Sequence, residues 1–432
     1  MNADDRTSLH LAALNGETST AELLLTSGAK IEAIDIDKHT PLHLAVWKSH
    51  TDVVELLLDR GASTQARNWR YSTPLHFAAW NGNTGIMELL LQKGASIEAR
   101  GHSGYTPLHL ATLRRHHGAV ELLLRKGASI EAAGGNGNTP LHLAARSGYT
   151  GTGELLLKEG ASVQAVNQFS NTSLHLAACN GHSGMVELLL RKGAPIQAIG
   201  HHTDTPLHLA AQCGHTGVVE LLLGKGARIT AVGRSSNSPL HHAASSGHIG
   251  MVELLLKKGA LIEATNVHIY TPLHCAAVRG HAGVVELLLT KGASTKATNV
   301  YNSTPLHLAL HRYPDVVGLL LENGAAVEAL DKSNNTPLHR AAAHGKTEIV
   351  KLLLGKGASI EAVNNDKDTP LHCAVKLGRT KVVNFLLDNG AQIKAINRDG
   401  NTPLQLAAQN GYTDIMQLLQ NNAAEPVHEN SA

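Results

Sequence analysis

The sequence predicts an all-α repeat solenoid, and three observations carry that expectation. The string Thr-Pro-Leu-His or a close variant begins at Thr7, Thr40, Thr73, Thr106, Thr139, Thr172, Thr205, Ser238, Thr271, Thr304, Thr336, Thr369 and Thr402, thirteen times in all. Eleven of the twelve spacings are 33 residues, and the one from Thr304 to Thr336 is 32. Glycine recurs at two fixed places within this period. Such a period makes an array and excludes the reading as several separate domains that 432 residues would otherwise invite. The array covers residues 2–423, and 424–432 read as a short polar tail.

The unit from Thr106 to Asn138, TPLHLATLRRHHGAVELLLRKGASIEAAGGNGN, shows each element in order. Thr106 suits a helix N-cap and Pro107 the first helical turn, where a missing N–H costs nothing. Eleven of the fourteen prolines stand at this place. A short helix follows with Leu and Ala inward, and in ten of the thirteen units a Gly nine residues after the Thr suits a left-handed C-cap. A second helix, apolar through VVELLL-type segments, ends at another Gly such as Gly127, present in twelve units. The rest, SIEA and a polar tip, reads as an extended turn or hairpin leading to the next Thr. Helices of about nine residues are marginal alone, so neighbouring units must hold them by stacking.

TPLHLAA, then Gly-His, then VVELLL, then KGA at a 33-residue period resembles the ankyrin repeat family across nearly the whole chain. The resemblance implies an elongated, gently curved solenoid of helix-turn-helix units joined by β-hairpins or loops. It also implies that first helices line a concave face, that tips project beside them, and that both contact protein partners. The family's GADVNA segment often carries an Asn open to hydroxylation. Here that slot holds residues such as Glu32, Gln65, Glu98 and Lys394, so the modification is not carried over.

The ends read as caps. Thr20 and Ala21 stand where the second unit has Val53 and Val54, while Gln405 and Gln420 replace the usual His and Leu in the last. Polar residues on outer faces are what a terminal unit needs. One unit is irregular: in LALHRYPDVVGLLL a residue is missing, Tyr313 is aligned with the Gly position and Pro314 begins the next turn. A local change of curvature is the expected consequence.

Composition limits the function classes. Hydrophobic content of 43% with 17% charged and 3% aromatic residues fits a soluble fold with a small-aliphatic core. A formal charge of +2 points neither to nucleic acid nor to an acidic membrane surface. Cys179, Cys213, Cys275 and Cys373 lie far apart without a CxxC pair, which argues against disulfides and a compact zinc site. Neither a signal peptide nor a membrane span is expected, and a cytoplasmic monomer follows, with the nucleus or non-classical export to a host cell left open.

Twelve of the 28 histidines, His10, His43, His76 and His372 among them, occupy the fourth position of the motif. Stacked units about 10 Å apart cannot bring successive copies to one ion, whose ligands must approach within about 2.1 Å. A structural role near the N-cap is expected, and likewise for His182, His215, His248 and His281, which follow the interhelical Gly. Gly345-Lys346-Thr347 lacks the partner Gly of a phosphate loop, since Arg340 stands there. No HExxH, GxSxG or GxGxxG occurs. The chain is therefore expected to have no enzymatic activity and no cofactor. Glu121 with Arg125, Glu154 with Lys158, Glu187 with Arg191 and Glu253 with Lys257 are spaced for support along single helices.

Aromatic residues point to a partner surface. Only Phe77 and Phe385 fall at core Leu positions. Trp69, Tyr71, Tyr105, Phe169, Tyr270 and Tyr301 fall in tips, while Trp47 and Trp80 close first helices in adjacent units, so the three tryptophans are expected to cluster. Trp and Tyr kept out of the core match the make-up of interface hot spots. Arg70 stands beside Trp69, and Arg114, Arg115 and Arg146 form a basic patch that suits an acidic partner segment. The function read from the chain is a protein-binding scaffold or adaptor acting through the concave face and tips. The alternative makes it the targeting portion of a larger enzyme or channel, or a translocated effector working through a host partner. Nucleic-acid binding by the Arg114–Arg146 patch would show steep salt dependence, and near-zero net charge argues against it.

Overall fold

The computed structural model describes residues 4–424, so the tail expected at 424–432 lies, apart from Ala424, outside the described residues. Among them are 26 α-helices in thirteen pairs, from Ser8–Asn15 and Thr18–Thr26 to Pro403–Gln409 and Thr413–Ala424. The chain is an all-helical repeat solenoid whose first helices start one residue after each Thr or Ser of the motif. No helix among the described residues is long and apolar enough to cross a membrane. The helices gather into two compact units. One runs through Ala210 and includes Gly217–Arg228; the other comprises Ala211–Thr216 and the chain from Ile229 onward.

The pair Pro41–Trp47 and Thr51–Asp59 shows how the core forms. Leu42, Leu44, Ala45 and Val46 of the first helix and Val53, Val54, Leu57 and Leu58 of the second are buried. Consecutive first helices pack on one another within each unit, and so do consecutive second helices. The stripes of small aliphatic side chains therefore merge into a continuous core. At the ends the fold spares apolar surface. Thr20 is exposed where Val53 is buried, and Gln405 and Gln420 are exposed in the last repeat.

Each motif histidine is a latch. In the second repeat the Thr40 N–H reaches Nδ1 of His43 at 3.2 Å, and Nε2 of His43 lies 3.1 Å from the carbonyl oxygen of Ser72 in the next repeat. The carbonyl can only accept, so Nε2 carries the proton and Nδ1 is the acceptor. The same pattern holds for His10 with His39, His76 with Tyr105, His109 with Asn138 and His339 with Asp368. Burial pushes His43 and His76 down to about 4 from the ordinary 6.5. These imidazoles are neutral structural bonds.

A second set of histidines reaches backwards. Nε2 of His50 lies 3.0 Å from the Leu14 carbonyl oxygen, and Nε2 of His182 lies 3.0 Å from that of Arg146. His116 and His248 do the same to Trp80 and Gln212. These rings lie over the left-handed glycine that closes the preceding first helix, as His116 does over Gly82. Where glycine is replaced at that position, Ser49 and Arg115 still take left-handed φ values of 64° and 61°.

Two expectations, on the ion pairs and on the irregular repeat, are corrected, and one is narrowed. Of the turn or hairpin expected at the tips the structure takes the turn: among the described residues the pairing of their arms is limited to one isolated antiparallel bridge, Val166 with Thr172. The tips close on short-range backbone bonds such as Asn68 N–H to Ser72 O, 3.1 Å, and several also bond sideways, as Trp69 N–H does to Asp37 O at 3.0 Å. Stacking uses the polar groups that a hairpin ladder would need.

The ion pairs differ as well. Arg125 meets Glu88 at 3.6 Å and Arg191 meets Glu154 at 3.7 Å, each on the preceding repeat, and among the described residues neither pairs with the glutamate four residues before it. Parallel second helices in register place a neighbour's carboxylate within reach. All these groups are well exposed, so the pairs contribute little stability.

The irregular repeat keeps its second helix, Pro314–Glu322, at the expense of its first, Pro305–Ala309. Tyr313 does not replace the glycine. Its φ is −123°, and its ring covers Gly280 of the preceding repeat, the place a backward-reaching histidine takes elsewhere. The lost residue is the helix-closing one. The shortened helix makes fewer contacts with the first helix after it than with the one before.

Candidate functional site

An open cleft of about 340 Å³ lies along the first-helix ends and tips of the second to fourth repeats, within the first unit. Trp47 of the second repeat, Phe77 and Trp80 of the third, and Leu110 and Leu113 of the fourth line it in turn, with Arg70 and Tyr105 from the tips. Phe77 is half-buried and faces this space. The fourth residue after the Thr therefore points toward the tip-lined surface, where Leu44 and Leu143 happen to be covered and Phe77 is not.

Phe77 anchors a cluster of rings. Its centroid lies 5.9 Å from that of Trp47, 5.6 Å from His43 and 5.7 Å from His39, the last two edge-on. Such tilted and edge-on arrangements match ring edges to ring faces. His39 is held from below by Asp35, whose carboxylate accepts the His39 N–H at 2.8 Å. The wall is thus fixed by packing and by a buried hydrogen bond. Trp47 and Trp80 remain 49% and 43% exposed, so their outer faces are open to a ligand.

Cations sit on the aromatic faces. The Arg114 guanidinium lies 4.5 Å over the Trp80 ring, Arg70 lies 4.5 Å over Trp69, and Arg115 lies 5.1 Å over Tyr149. Each stacked arginine has one face on a ring and its N–H edge directed past it. Arg146 is exposed one repeat further on, with its backbone carbonyl held by His182.

The residues singled out from the sequence fall into groups. Trp47, Arg70, Trp80 and Tyr105 line the cleft together, and Arg114 joins them through Trp80. Trp69 does not line it; it stands in the same tip as Arg70 and is the platform for that guanidinium. Tyr71 is at that tip's left-handed position, 65% exposed. Phe169 sits in a tip two repeats beyond Tyr105, edge-on to His201. Tyr105 and Tyr270 are half-buried and stack on His109 and His274, so part of each ring supports its own repeat. Tyr270 and Tyr301 belong to the second unit, where Tyr301 is widely exposed.

Sequence reasoning missed Phe77 and His102, both of which line the cleft. The signal for Phe77 was present: it is the one aromatic residue at a first-helix position that is Leu in most repeats. Phe385, assigned with it to the core, is half-buried on a second helix beneath Lys351. Among the described residues no three His, Cys, Asp or Glu side chains converge in a way that could hold a metal ion.

The model of the family described as ankyrin repeats (3 copies) matches residues 1–68, 63–134, 129–199, 150–233, 198–266, 260–331, 296–364 and 338–430. Among solved structures, the crystal structure of the human ASB11 ankyrin repeat domain is similar at 30% identity. It covers 51% of this chain and 99% of that one, with a TM-score of 0.48. No curated protein matches the chain.

Proposed function

The chain belongs to the ankyrin repeat family, and from that premise we propose that it is a non-enzymatic scaffold that captures a protein partner on the first-helix ends and tips of its second to fourth repeats. Ankyrin repeats are in general protein-interaction modules, and the finer assignment rests on one observation. Two half-exposed tryptophans, Trp47 and Trp80, line one largely apolar cleft together with Phe77, Leu110 and Leu113. Aromatic side chains held rigid around a pocket are what interface hot spots consist of, because they bury much area for little loss of rotamer freedom.

The test is cross-linking and pull-down from the native cell with the full chain and with Trp47→Ala/Trp80→Ala. Capture of specific partners should weaken by about 2 kcal/mol or more while helical content is kept. Unchanged capture by the double variant would move the binding surface elsewhere.

A further inference from the structure

From residue 66 to residue 203 the tips and first helices carry Arg67, Arg70, Arg100, Arg114, Arg115 and Arg146 and no aspartate or glutamate, the next carboxylate at a tip being Asp204. Every carboxylate between residues 66 and 203, from Glu88 to Glu187, lies on a second helix or in the turn after it. The repeat does not impose this separation. In the second unit the equivalent tips hold Asp331, Asp366, Asp368 and Asp399. Among the described residues none of the six arginines is in an ion pair, although Arg100 is partly engaged by the carbonyl of Ala133 at 2.6 Å.

Geometry adds to charge. Stacking on Trp69, Trp80 and Tyr149 fixes the planes of Arg70, Arg114 and Arg115, which leaves planar N–H edges suited to two-point bonds with carboxylates. Arg70 lines the apolar cleft that Phe77 also lines, and Arg114 borders it through Trp80. We infer that this face docks an acidic protein segment that places one large apolar side chain in the cleft, between carboxylates bound by Arg70 and Arg114. This rests on the partner-binding reading above and gives the partner its chemistry. Trp and Arg together also suit stacked single-stranded bases. The apolar lining of the cleft favours a side chain over a base, and the formal charge of +2 gives a polyanion little long-range attraction.

The experiment is a selection from a random 12-residue peptide display library on the full chain, on Trp47→Ala/Trp80→Ala and on Arg70→Gln/Arg114→Gln. The winning peptide and fluorescein-labelled oligo-dT of 20 nucleotides are then titrated by anisotropy. Peptides rich in Asp and Glu around a Leu, Phe or Trp are expected. The winner should lose at least tenfold in affinity on the arginine variant, and again when its acids become amides. Enrichment of neutral or basic peptides that still depend on Trp47 and Trp80 would overturn the acidic assignment and leave the partner reading standing. Peptides enriched equally on the tryptophan variant, or none enriched, would overturn both. Oligo-dT binding tighter than the winning peptide would overturn the proposal in favour of nucleic acid. Circular dichroism on both variants checks that the helices are kept.

Discussion

Nε2 of His76 lies 3.1 Å from the carbonyl oxygen of Tyr105, so a buried histidine of one repeat fixes the backbone of the residue that flanks the aromatic cleft in the next. The latch that builds the array thus also sets the geometry of the candidate binding surface.

Acid should open these latches. The folded state holds His43, His76, His109, His175 and His274 at about 4, below the 6.5 of an unfolded chain, because burial disfavours the imidazolium. The unfolded chain therefore binds protons more readily. The stabilisation is complete above pH 6.5 and is lost as pH falls from 6.5 toward 4. Urea midpoints followed by circular dichroism are expected to be flat from pH 8 to 7 and to fall steeply below 6. Midpoints constant to pH 4.5 would show that the imidazoles take up protons as readily in the fold as in the unfolded chain.

His43→Gln separates the two ends of the ring. Gln405 shows that glutamine can serve the cap, since its Oε1 accepts the Thr402 N–H at 2.8 Å. It does not extend to the next repeat as the ring of His43 does to Ser72. The variant should lose about 1 kcal/mol at pH 7, the contribution of one hydrogen bond, since the Ser72 carbonyl keeps only the Asn68 N–H. Its deficit should shrink at pH 5, where the wild-type ring is itself a liability. Equal losses at both pH values would contradict the lowered pKa of His43.

Two glycines with similar backbones should respond differently to alanine. Gly82 has φ +75° and a Cβ there would lie 2.4 Å from His116, whereas Gly94 has φ +84° and open space around it. Gly94→Ala carries backbone strain alone, about 1–2 kcal/mol. Gly82→Ala must also displace a ring bonded to the Trp80 carbonyl and is expected to cost about 2–3 kcal/mol more. Comparing their denaturation midpoints checks the difference.

The reverse change should stabilise. Ser49 holds φ +64° with a side chain at the place where ten repeats use glycine. Ser49→Gly removes that strain and should raise stability by about 0.5–1 kcal/mol, read as a higher thermal midpoint.

How much of this was legible in the sequence depended on repetition. The period placed both helices of every repeat, both histidine positions and the capping residues, because each is a local rule written thirteen times. What it could not give were relations between repeats. Arg125 chose Glu88 of the preceding helix over Glu121 of its own, a choice that depends on the register of stacking. Tyr313 was aligned with a glycine although its ring does the work of a histidine, because a gap can be placed on either side by counting. The cleft was half visible: Trp47 and Trp80 stood out by type, while Phe77 was taken for core because the direction of one helix face cannot be read from a Leu-to-Phe change.

The sorting of charge by element has a kinetic consequence. With a formal charge of only +2 the molecule presents little net field at long range, yet between residues 66 and 203 the tips and first helices carry six arginines and no carboxylate, while the glutamates lie among Lys and Arg on the second helices and the turns after them. That stretch is a dipole across the width of the array. An approaching acidic chain would be turned toward the arginine edge within roughly 10 Å, the screening length at 0.1 M salt. Association should accordingly slow with added salt while dissociation, set by the tryptophan cleft, changes little.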